Sequence, residues 1–366
     1  MGTHVAHAPH TAPSKQTGTM RAAVYRGAGR VVVEQVPVPQ IGEGEVLIRV
    51  AACGICGTDI KKIQHGFVAP PQIFGHEIAG TVAAVGRGVT RWNEGDRVVS
   101  FHHIPCGDCF YCQRKLFSQC PMYKKVGVTA GFQPNGGGFA EYVRVMPWIA
   151  ERGMVAIPAD VSFEEATFVE PVNTCLKAVD KARVAPGEMV LVVGQGPIGL
   201  LLMMLARLAG AKVLTTDPIA QRRARSVYFG AEAALDPGAD SVAGELRSRT
   251  AGRGADAVLV AVPSPALVAE ALAVVRPGGR VLLFAHNDPV MNIDFPAAAV
   301  GVEEKEILGS YSASVDLQGQ SADLVFSRRL PVRELISHRF PLDQMEQGLD
   351  IAARPAGDSL KVVILP

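Results

Sequence analysis

The stretch that most constrains the fold of this chain is an apolar run with three glycines at residues 189–209. It reads MVLVVGQGPIGLLLMMLARLA. A short apolar segment, a turn and a longer apolar segment are typical of a buried strand leading into a buried helix. The apolar segments are shorter than the roughly 20 residues of a membrane span. The stretch therefore predicts one strand–turn–helix unit of a buried parallel sheet.

The glycines of this turn, Gly194, Gly196 and Gly199, have G-x-G-x-x-G spacing. The pattern alone is weak, but here it follows a strand and opens a helix, as a dinucleotide-binding turn requires. The glycines allow a tight turn, close approach of a pyrophosphate and close helix–strand packing. Pro197 and Ile198 begin the helix, whose N-terminus favours an anionic diphosphate. The motif predicts a bound dinucleotide cofactor.

The acidic residue after the next strand bears on which dinucleotide binds. The strand KVLTTD ends at Asp217. A carboxylate there accepts hydrogen bonds from the ribose hydroxyls and repels a 2′-phosphate, which favours NAD over NADP. Arg222 and Arg223 follow closely and would weaken this preference. We therefore expect NAD, with NADP as the less favoured alternative.

The sequence pattern changes twice along the chain. Residues 20–150 contain short strand-like runs separated by Gly and Pro, typical of a β-barrel or sandwich. Farther on, apolar strands alternate with helical segments, which predicts a parallel sheet covered on both faces. The protein is thus predicted to be α/β and β, with four parts: a disordered tail (1–19), a β-domain (20–172), a dinucleotide-binding domain (173–310) and a segment returning to the β-domain (311–366).

Composition excludes several classes of protein. The 366 residues are 48% hydrophobic and 19% charged, and the formal net charge is +1. This balance supports a sizeable core and provides no basic surface for nucleic acid or membrane. Residues 1–19 lack the basic start and apolar core of a signal peptide. We expect a cytoplasmic protein whose clustered cysteines bind metal instead of forming disulfides.

Four of the seven cysteines follow the spacing C-x2-C-x2-C-x7-C. Four thiolates so spaced wrap one tetrahedral Zn²⁺ and leave no open position for water or substrate. The pattern predicts a structural zinc, with disulfides or a redox relay as the alternatives. The predicted ligands are Cys106, Cys109, Cys112 and Cys120.

A catalytic zinc needs three protein ligands and an open fourth position, so its ligands must lie elsewhere. The candidates are Cys56 in GICGTD, His76 in FGHEIAG and Glu170 in FVEPVN. Each alone would be an ordinary core or surface residue. Together with the cysteine cluster and the dinucleotide turn, they indicate a second zinc site.

These motifs make the chain resemble the zinc-dependent medium-chain alcohol dehydrogenases over nearly all of residues 20–366. The shared signatures are GICGTD, GHEIAGTV, GDRV, the four-cysteine segment, GGFAEYV, EP, VVGQGPIG and LKVVI. The resemblance implies a GroES-like β-barrel catalytic domain and a Rossmann doubly wound parallel sheet, with the active site in the cleft between them. It also implies a homotetramer or homodimer acting on a small-molecule alcohol or ketone.

The resemblance implies roles for the metal ligands. Cys56 and His76 would bind the catalytic zinc, with Glu77 as a neighbouring or exchanging ligand. Glu170 stands where the liver-type enzymes have a cysteine, and a glutamate followed by proline resembles the sorbitol and threonine dehydrogenase branch. Cys175 follows Glu170 closely and is the alternative third ligand.

Thr58 matches the family hydroxyl that contacts the substrate oxygen, and Asp59 matches the carboxylate that orients His76. The family often has a histidine three residues after this threonine, completing a proton relay. Here the residue is Lys61, followed by Lys62. Three interpretations stay open: proton exit through the cofactor ribose and water, attraction of an anionic substrate by a lysine, and solvated surface lysines.

Three further residues, Cys53, His102 and His103, are not predicted to take part in the zinc or cofactor sites. Cys53 lies in an apolar run and is expected in the core. His102 and His103 precede the cysteine cluster and are not assigned to the site.

The resemblance as a whole implies a zinc-dependent oxidoreductase that transfers a hydride between a secondary alcohol and NAD. The alcohol would be a polyol, a sugar alcohol or an amino alcohol. The alternatives are a physiological ketone or sugar reductase, an NADP-preferring dehydrogenase with an anionic substrate, and a non-catalytic dinucleotide sensor. The sensor predicts loss of Cys56, His76 or Thr58, and all three are present.

Overall fold

The computed structural model describes residues 18–123, 125, 127–132, 136–262, 264–284, 292–357 and 359–366. Most of the predicted N-terminal tail, residues 1–17, lies outside them. In these ranges, none of the helices combines the length and apolar character needed to cross a membrane.

The N-terminal part of the chain is dominated by antiparallel strands. Its strands are β1 (Thr19–Tyr25), β2 (Val31–Pro37), β3 (Val46–Gly54), β4 (Gln72–Ile73), β5 (Glu77–Val85), β6 (Arg97–Ser100), β7 (Val128–Thr129), β8 (Tyr142–Val145) and β9 (Met154–Ala156). Its helices are α1 (Gly57–His65), α2 (Pro147–Arg152), α3 (Phe163–Ala166) and α4 (Val169–Lys181). A small sheet has the order β2–β1–β4, and the longer strands β3, β5 and β6 form the centre of a larger sheet.

A parallel sheet follows. Its strands are β10 (Met189–Val193), β11 (Lys212–Thr216), β12 (Ala233–Leu235), β13 (Ala255–Val260), β14 (Val275–Leu283) and β15 (Glu306–Gly309). The intervening helices are α5 (Pro197–Leu208), α6 (Ala220–Tyr228), α7 (Val242–Arg249), α8 (Pro265–Val274) and α9 (Ala297–Gly301). The strand order β12–β11–β10–β13–β14–β15 changes direction between β10 and β13, which is where such sheets bind ligands.

Both faces of the central strand β10 are buried, as its wholly apolar sequence requires. Val190 and Val192 belong to a core shared with the β-domain, whereas Leu191 belongs to a separate core on the opposite face. Helix α8 stops at Val274, and β14 begins at the next residue and takes in the Val-Arg-Pro-Gly-Gly stretch. Pro277 and the two glycines after it cannot continue a helix.

The last part of the chain contains α10 (Gln318–Phe326), β16 (Ile336–Pro341), α11 (Met345–Ala353) and β17 (Lys361–Leu365). β17 pairs antiparallel with β3, placing Val363 opposite Gly54. The larger sheet therefore has the order β16–β17–β3–β5–β6–β9. Since β5 places Glu77 opposite Gly54 as well, the distant strand β17 meets β3 and β5 where β3 ends.

Candidate metal and cofactor sites

The four clustered cysteines form one compact group of sulfur atoms. The Sγ–Sγ distances are 3.5 Å for Cys109–Cys112, 3.5 Å for Cys106–Cys120 and 3.9 Å for Cys106–Cys112. A tetrahedral zinc with bonds of about 2.3 Å separates its sulfur ligands by about 3.8 Å, whereas a disulfide needs about 2.05 Å. All four thiols are free. The donor set thus fits a closed zinc site, and no disulfide joins these four cysteines in the structure.

A second donor group forms where β3 turns into α1. Among the described residues, the ligand atoms of Cys56, His76 and Glu77 lie within 4.8 Å of one another. Thiolate, imidazole and carboxylate are all zinc ligands. This group supplies three donors, so it leaves a coordination position open, unlike the cysteine cluster.

Local helix capping fixes the position of Cys56. It is the N-cap of α1: its Sγ accepts from the Thr58 amide at 3.5 Å, and its own amide donates to Asp59 Oδ2 at 3.1 Å. Gly66, with φ of 64°, ends the helix in the left-handed conformation that glycine favours. The GICGTD sequence therefore places the sulfur and the Thr58 hydroxyl in the same first turn.

The buried carboxylate of Asp59 orients His76. Asp59 Oδ1 lies 3.2 Å from His76 Nδ1 and also accepts from the Gly75 amide at 3.4 Å. With Nδ1 held as the donor, Nε2 is the atom left to bind a metal. Burial opposes a charge on the ring, but Asp59 and Cys56 outweigh it and raise the pKa of His76 well above its ordinary value. The surroundings therefore favour a cation here, as a zinc site requires.

Glu77 is buried beside a lysine from the distant end of the chain. Lys361 Nζ forms an ion pair with Glu77 Oε2 and donates to the Ile55 carbonyl at 3.0 Å. A Cβ at Gly54 would lie 1.9 Å from Glu77 Oε2, so only glycine leaves room for this carboxylate. Sequence reasoning did not single out Lys361, whose contact depends on the pairing of β17 with β3.

The two candidates for the third ligand lie on α4 and face different neighbours. Glu170 is 5% exposed, and burial raises the pKa of its carboxyl to about 7. The charges of His76 and Glu77 also influence the pKa of Glu170, so this carboxyl lies within electrostatic range of the open donor group. Glu170 is not one of the three ligands whose atoms lie close together. Cys175 Sγ instead contacts the Ile198 carbonyl at 3.9 Å.

The glycine turn has the geometry of a phosphate-binding loop. Gly194 has a φ of 87°, and Gly196 is the N-cap of α5, with Pro197 at its first position. A Cβ on Gly199 would lie 1.7 Å from the Gly194 carbonyl oxygen. The third glycine is therefore a steric requirement of this turn, and the amides at the start of α5 point toward an approaching anion.

Asp217 stabilises the same turn. Its Oδ2 accepts from the Gln195 amide at 2.7 Å, and its Oδ1 accepts from the Ile219 amide at 2.8 Å. Arg222 Nη1 lies 4.0 Å from Asp217 Oδ2, and its guanidinium also donates to the Ser359 carbonyl at 3.1 Å. Each carboxylate oxygen retains a lone pair, so Asp217 can still accept from a ribose hydroxyl.

Comparison with known proteins decides the family. The family models "Alcohol dehydrogenase GroES-like domain" and "Zinc-binding dehydrogenase" match residues 42–159 and 197–326. An L-threonine 3-dehydrogenase of Symbiobacterium thermophilum is 33% identical over 95% of this chain and 98% of its own length. A sorbitol dehydrogenase of Bacillus subtilis is 28% identical over 98% of this chain and 99% of its own length. The chain belongs to the zinc-binding dehydrogenase family.

Solved structures of zinc-binding dehydrogenases agree. An alcohol dehydrogenase from Thermus sp. ATN1 has a TM-score of 0.83 at 32% identity, over 94% of this chain and 99% of that chain. A zinc-binding dehydrogenase from Sinorhizobium meliloti 1021, bound to NADP, has a TM-score of 0.85 at 30% identity. The match covers 95% of this chain and 100% of that chain. The predicted GroES-like and Rossmann fold is confirmed. So is the prediction of a dehydrogenase that uses zinc and a nicotinamide dinucleotide.

Two histidines that were not assigned to the site lie beside it in this dehydrogenase. The ring of His102 is 4.7 Å from that of His76 and 4.0 Å from that of His103. With Asp59 and Lys62 they line a small cavity next to the metal group. Burial lowers the pKa of His102 well below its ordinary value and that of His103 to about 4. The only sequence signal for this pair was their adjacency to the cysteine cluster.

Proposed function

We propose that this dehydrogenase oxidises a polyol, sugar alcohol or amino alcohol at a secondary hydroxyl with NAD. The proposal rests on the donor group at Cys56 and His76, because these two ligands and one carboxylate, Glu170 or Glu77, leave a fourth coordination position for a substrate oxygen. Two relatives are named sorbitol dehydrogenase and L-threonine 3-dehydrogenase. Sorbitol is a polyol, and L-threonine carries both an amino group and a secondary hydroxyl. Ketone or sugar reduction is the reverse reaction and uses the same groups.

For the catalytic zinc we propose Cys56, His76 and Glu170 as ligands, with Glu77 as the neighbouring or exchanging ligand. The ion pair between Glu77 and Lys361 supports Glu170 as the zinc ligand, because the lysine already balances the charge of the Glu77 carboxylate. Glu170 is buried, and a buried carboxylate needs a cation or hydrogen-bond donors. The closed site of four cysteines would hold the second zinc of each chain.

Each part of the chain then has a defined task. When bound, the zinc polarises the substrate oxygen and the nicotinamide exchanges a hydride with the substrate carbon. Thr58, in the first turn of α1, would hold the substrate hydroxyl by a hydrogen bond, accept its proton and pass its own proton outward toward water. Asp59 fixes the tautomer of His76. The turn at Gly194–Gly199 would hold the diphosphate and so align the nicotinamide with the substrate.

NAD is proposed as the preferred cofactor because Asp217, directly after β11, would accept hydrogen bonds from the ribose hydroxyls and repel a 2′-phosphate. Arg222 contacts Asp217 and lies beside Gly196, so it would reduce the repulsion of a 2′-phosphate. The NADP-bound relative indicates that a protein of this fold can hold NADP. The homodimeric or homotetrameric state and the cytoplasmic location stay predictions.

A substrate panel tests the proposed function. We expect turnover of at least one secondary alcohol among polyols, sugars, sugar phosphates and amino alcohols, with NAD giving a higher kcat/KM than NADP. The measurement is absorbance at the reduced-nicotinamide band, using enzyme with two zincs per chain. Absence of turnover with every secondary alcohol, with both dinucleotides, would contradict the proposal.

Replacing Lys61 with alanine tests the residue that stands in place of the usual relay histidine. Burial lowers the pKa of Lys61 from its ordinary value. Even so, lysine is a poorer proton relay than histidine near neutral pH, because its ordinary pKa lies about three to four units higher. We therefore expect Lys61→Ala to keep more than a tenth of the kcat on a neutral polyol, with Lys115→Ala as an exposed control. A loss beyond a hundredfold would show that Lys61 carries the proton.

A further inference from the structure

The short segment that leaves the last strand of the parallel sheet, residues 310–314, lies at the cofactor edge. It follows β15, and ligands of such sheets bind outside the carboxyl ends of the strands. Asp217, after β11, marks the adenosine side of the glycine turn that follows β10. The nicotinamide half must then extend over the ends of β13, β14 and β15. Residues 310–314 therefore border the nicotinamide half of the dinucleotide.

One residue of this segment has an unusual backbone. Ser312 has a φ of 59°, in the left-handed region that L side chains rarely adopt. Such a conformation persists only when surrounding contacts hold it. The contacts that hold this segment thus decide the shape of this wall of the cofactor site.

Helix α4 supplies part of this support from one side. The Ser314 amide donates to Asn173 Oδ1 at 2.7 Å, and Asn173 Nδ2 donates to the Ser314 carbonyl at 3.0 Å. Lys177 Nζ donates to the Tyr311 carbonyl at 2.8 Å. These contacts hold the backbone on either side of Ser312.

The four-cysteine lobe, residues 106–123, supplies the contacts at Ser312 itself. Tyr123 is 2% exposed and packs in a cluster with Cys112 and Cys120. Its hydroxyl lies 2.8 Å from Ser312 Oγ and donates to the Ala313 carbonyl at 3.1 Å. This donation leaves the phenol oxygen to accept from the serine. Tyr123 is therefore fixed by the metal lobe at one end and holds the cofactor wall at the other.

We propose that Tyr123 is a positioning residue that couples the four-cysteine lobe to binding of the nicotinamide half of the cofactor. It touches neither substrate nor cofactor and acts through residues 312–313. Lys177 provides a second link, because its Nζ also lies 3.4 Å from Ser118 Oγ in the lobe. Through these two links the four-cysteine lobe contributes to dinucleotide affinity.

The variant Tyr123→Phe tests this role, because it removes the hydroxyl and keeps the packing of the ring. Tyr111→Phe is the matched control, since Tyr111 lies in the same lobe and is 39% exposed. Both variants are prepared with two zincs per chain and studied well below their unfolding temperatures. The Kd values for NADH and for ADP-ribose, which lacks the nicotinamide, are measured by fluorescence and by calorimetry.

We expect Tyr123→Phe to raise the Kd for NADH about three- to tenfold, the effect of losing one or two hydrogen bonds. The Kd for ADP-ribose should change less than twofold, and Tyr111→Phe should change neither. KM for the dinucleotide should rise more than kcat falls. If Tyr123→Phe does not fold, Ser312→Ala removes the partner hydroxyl from outside the lobe and should give the same pattern.

Two results would overturn the role of Tyr123. One is an unchanged Kd for NADH, and the other is an equal rise for NADH and ADP-ribose, which a general loosening of the structure would give. This role rests on the proposed use of a nicotinamide dinucleotide. Failure of the wild type to bind NADH would contradict both proposals, whereas unchanged affinity in the variant contradicts only the role of Tyr123.

Discussion

Replacing Cys56 with serine is expected to remove one zinc per chain and to lower kcat/KM more than a thousandfold, with the fold retained. Cys56 supplies the only thiolate of the open donor group, and a serine hydroxyl is a far weaker zinc ligand at neutral pH. Serine is nevertheless a good N-cap and can accept from the Thr58 amide as Cys56 does, so α1 should persist. Metal analysis and steady-state kinetics measure the two effects together.

The cysteine cluster provides the control for this experiment. Cys106→Ser should lose the other zinc, keep the open site loaded and lower the unfolding temperature. If Cys56→Ser kept two zincs per chain, or kept full activity with one zinc, the assignment of Cys56 to the catalytic zinc site would be contradicted. Complete loss of turnover in a folded Cys106→Ser protein that keeps its second zinc would show that the cluster takes part in catalysis.

Replacing Gly199 with alanine is expected to raise the Kd for NADH more than a hundredfold while both zincs stay bound. The added methyl carbon would lie 1.7 Å from the Gly194 carbonyl oxygen and 2.7 Å from its carbon. These are backbone atoms, so the turn itself must open. Opening would move the amides near Gly196 away from the diphosphate and lose most of that binding energy. Fluorescence titration measures the affinity, and metal analysis reports on the rest of the molecule.

A second glycine provides the matched substitution. Gly319 lies on α10, where an added Cβ meets nothing within 4 Å. Gly319→Ala should therefore bind NADH as the wild type does and be slightly more stable, by about 0.5–1 kcal/mol. A Kd for Gly199→Ala within threefold of the wild-type value would mean that this turn does not hold the dinucleotide.

Sequence patterns predicted those parts of the protein whose chemistry is local. The cysteine spacing and the glycine turn each lie within one short segment, so composition and spacing sufficed to indicate metal and dinucleotide. The alternating strands and helices likewise predicted the parallel sheet. The choice between Glu170 and Cys175 stayed open, because both belong to one helix and only neighbouring elements show which way each side chain points.

Contacts between distant segments could not be predicted in this way. The bond between Tyr123 and Ser312 joins residues separated by 189 positions, and the bond between Lys361 and Ile55 spans 306. Each depends on the packing of whole elements against one another, which no local pattern encodes. His102 was missed for a similar reason, since its place beside His76 follows from the pairing of β5 with β6.

The origin of Lys361 also sets an order of events during biosynthesis. Cys56, His76 and Glu77 emerge from the ribosome early, but the lysine that balances Glu77 lies on β17, about 300 residues later. The parallel sheet from β10 to β15 is translated before that strand and can fold first. The group of Cys56, His76 and Glu77 therefore reaches its final charge balance only after the whole dinucleotide-binding sheet has been translated.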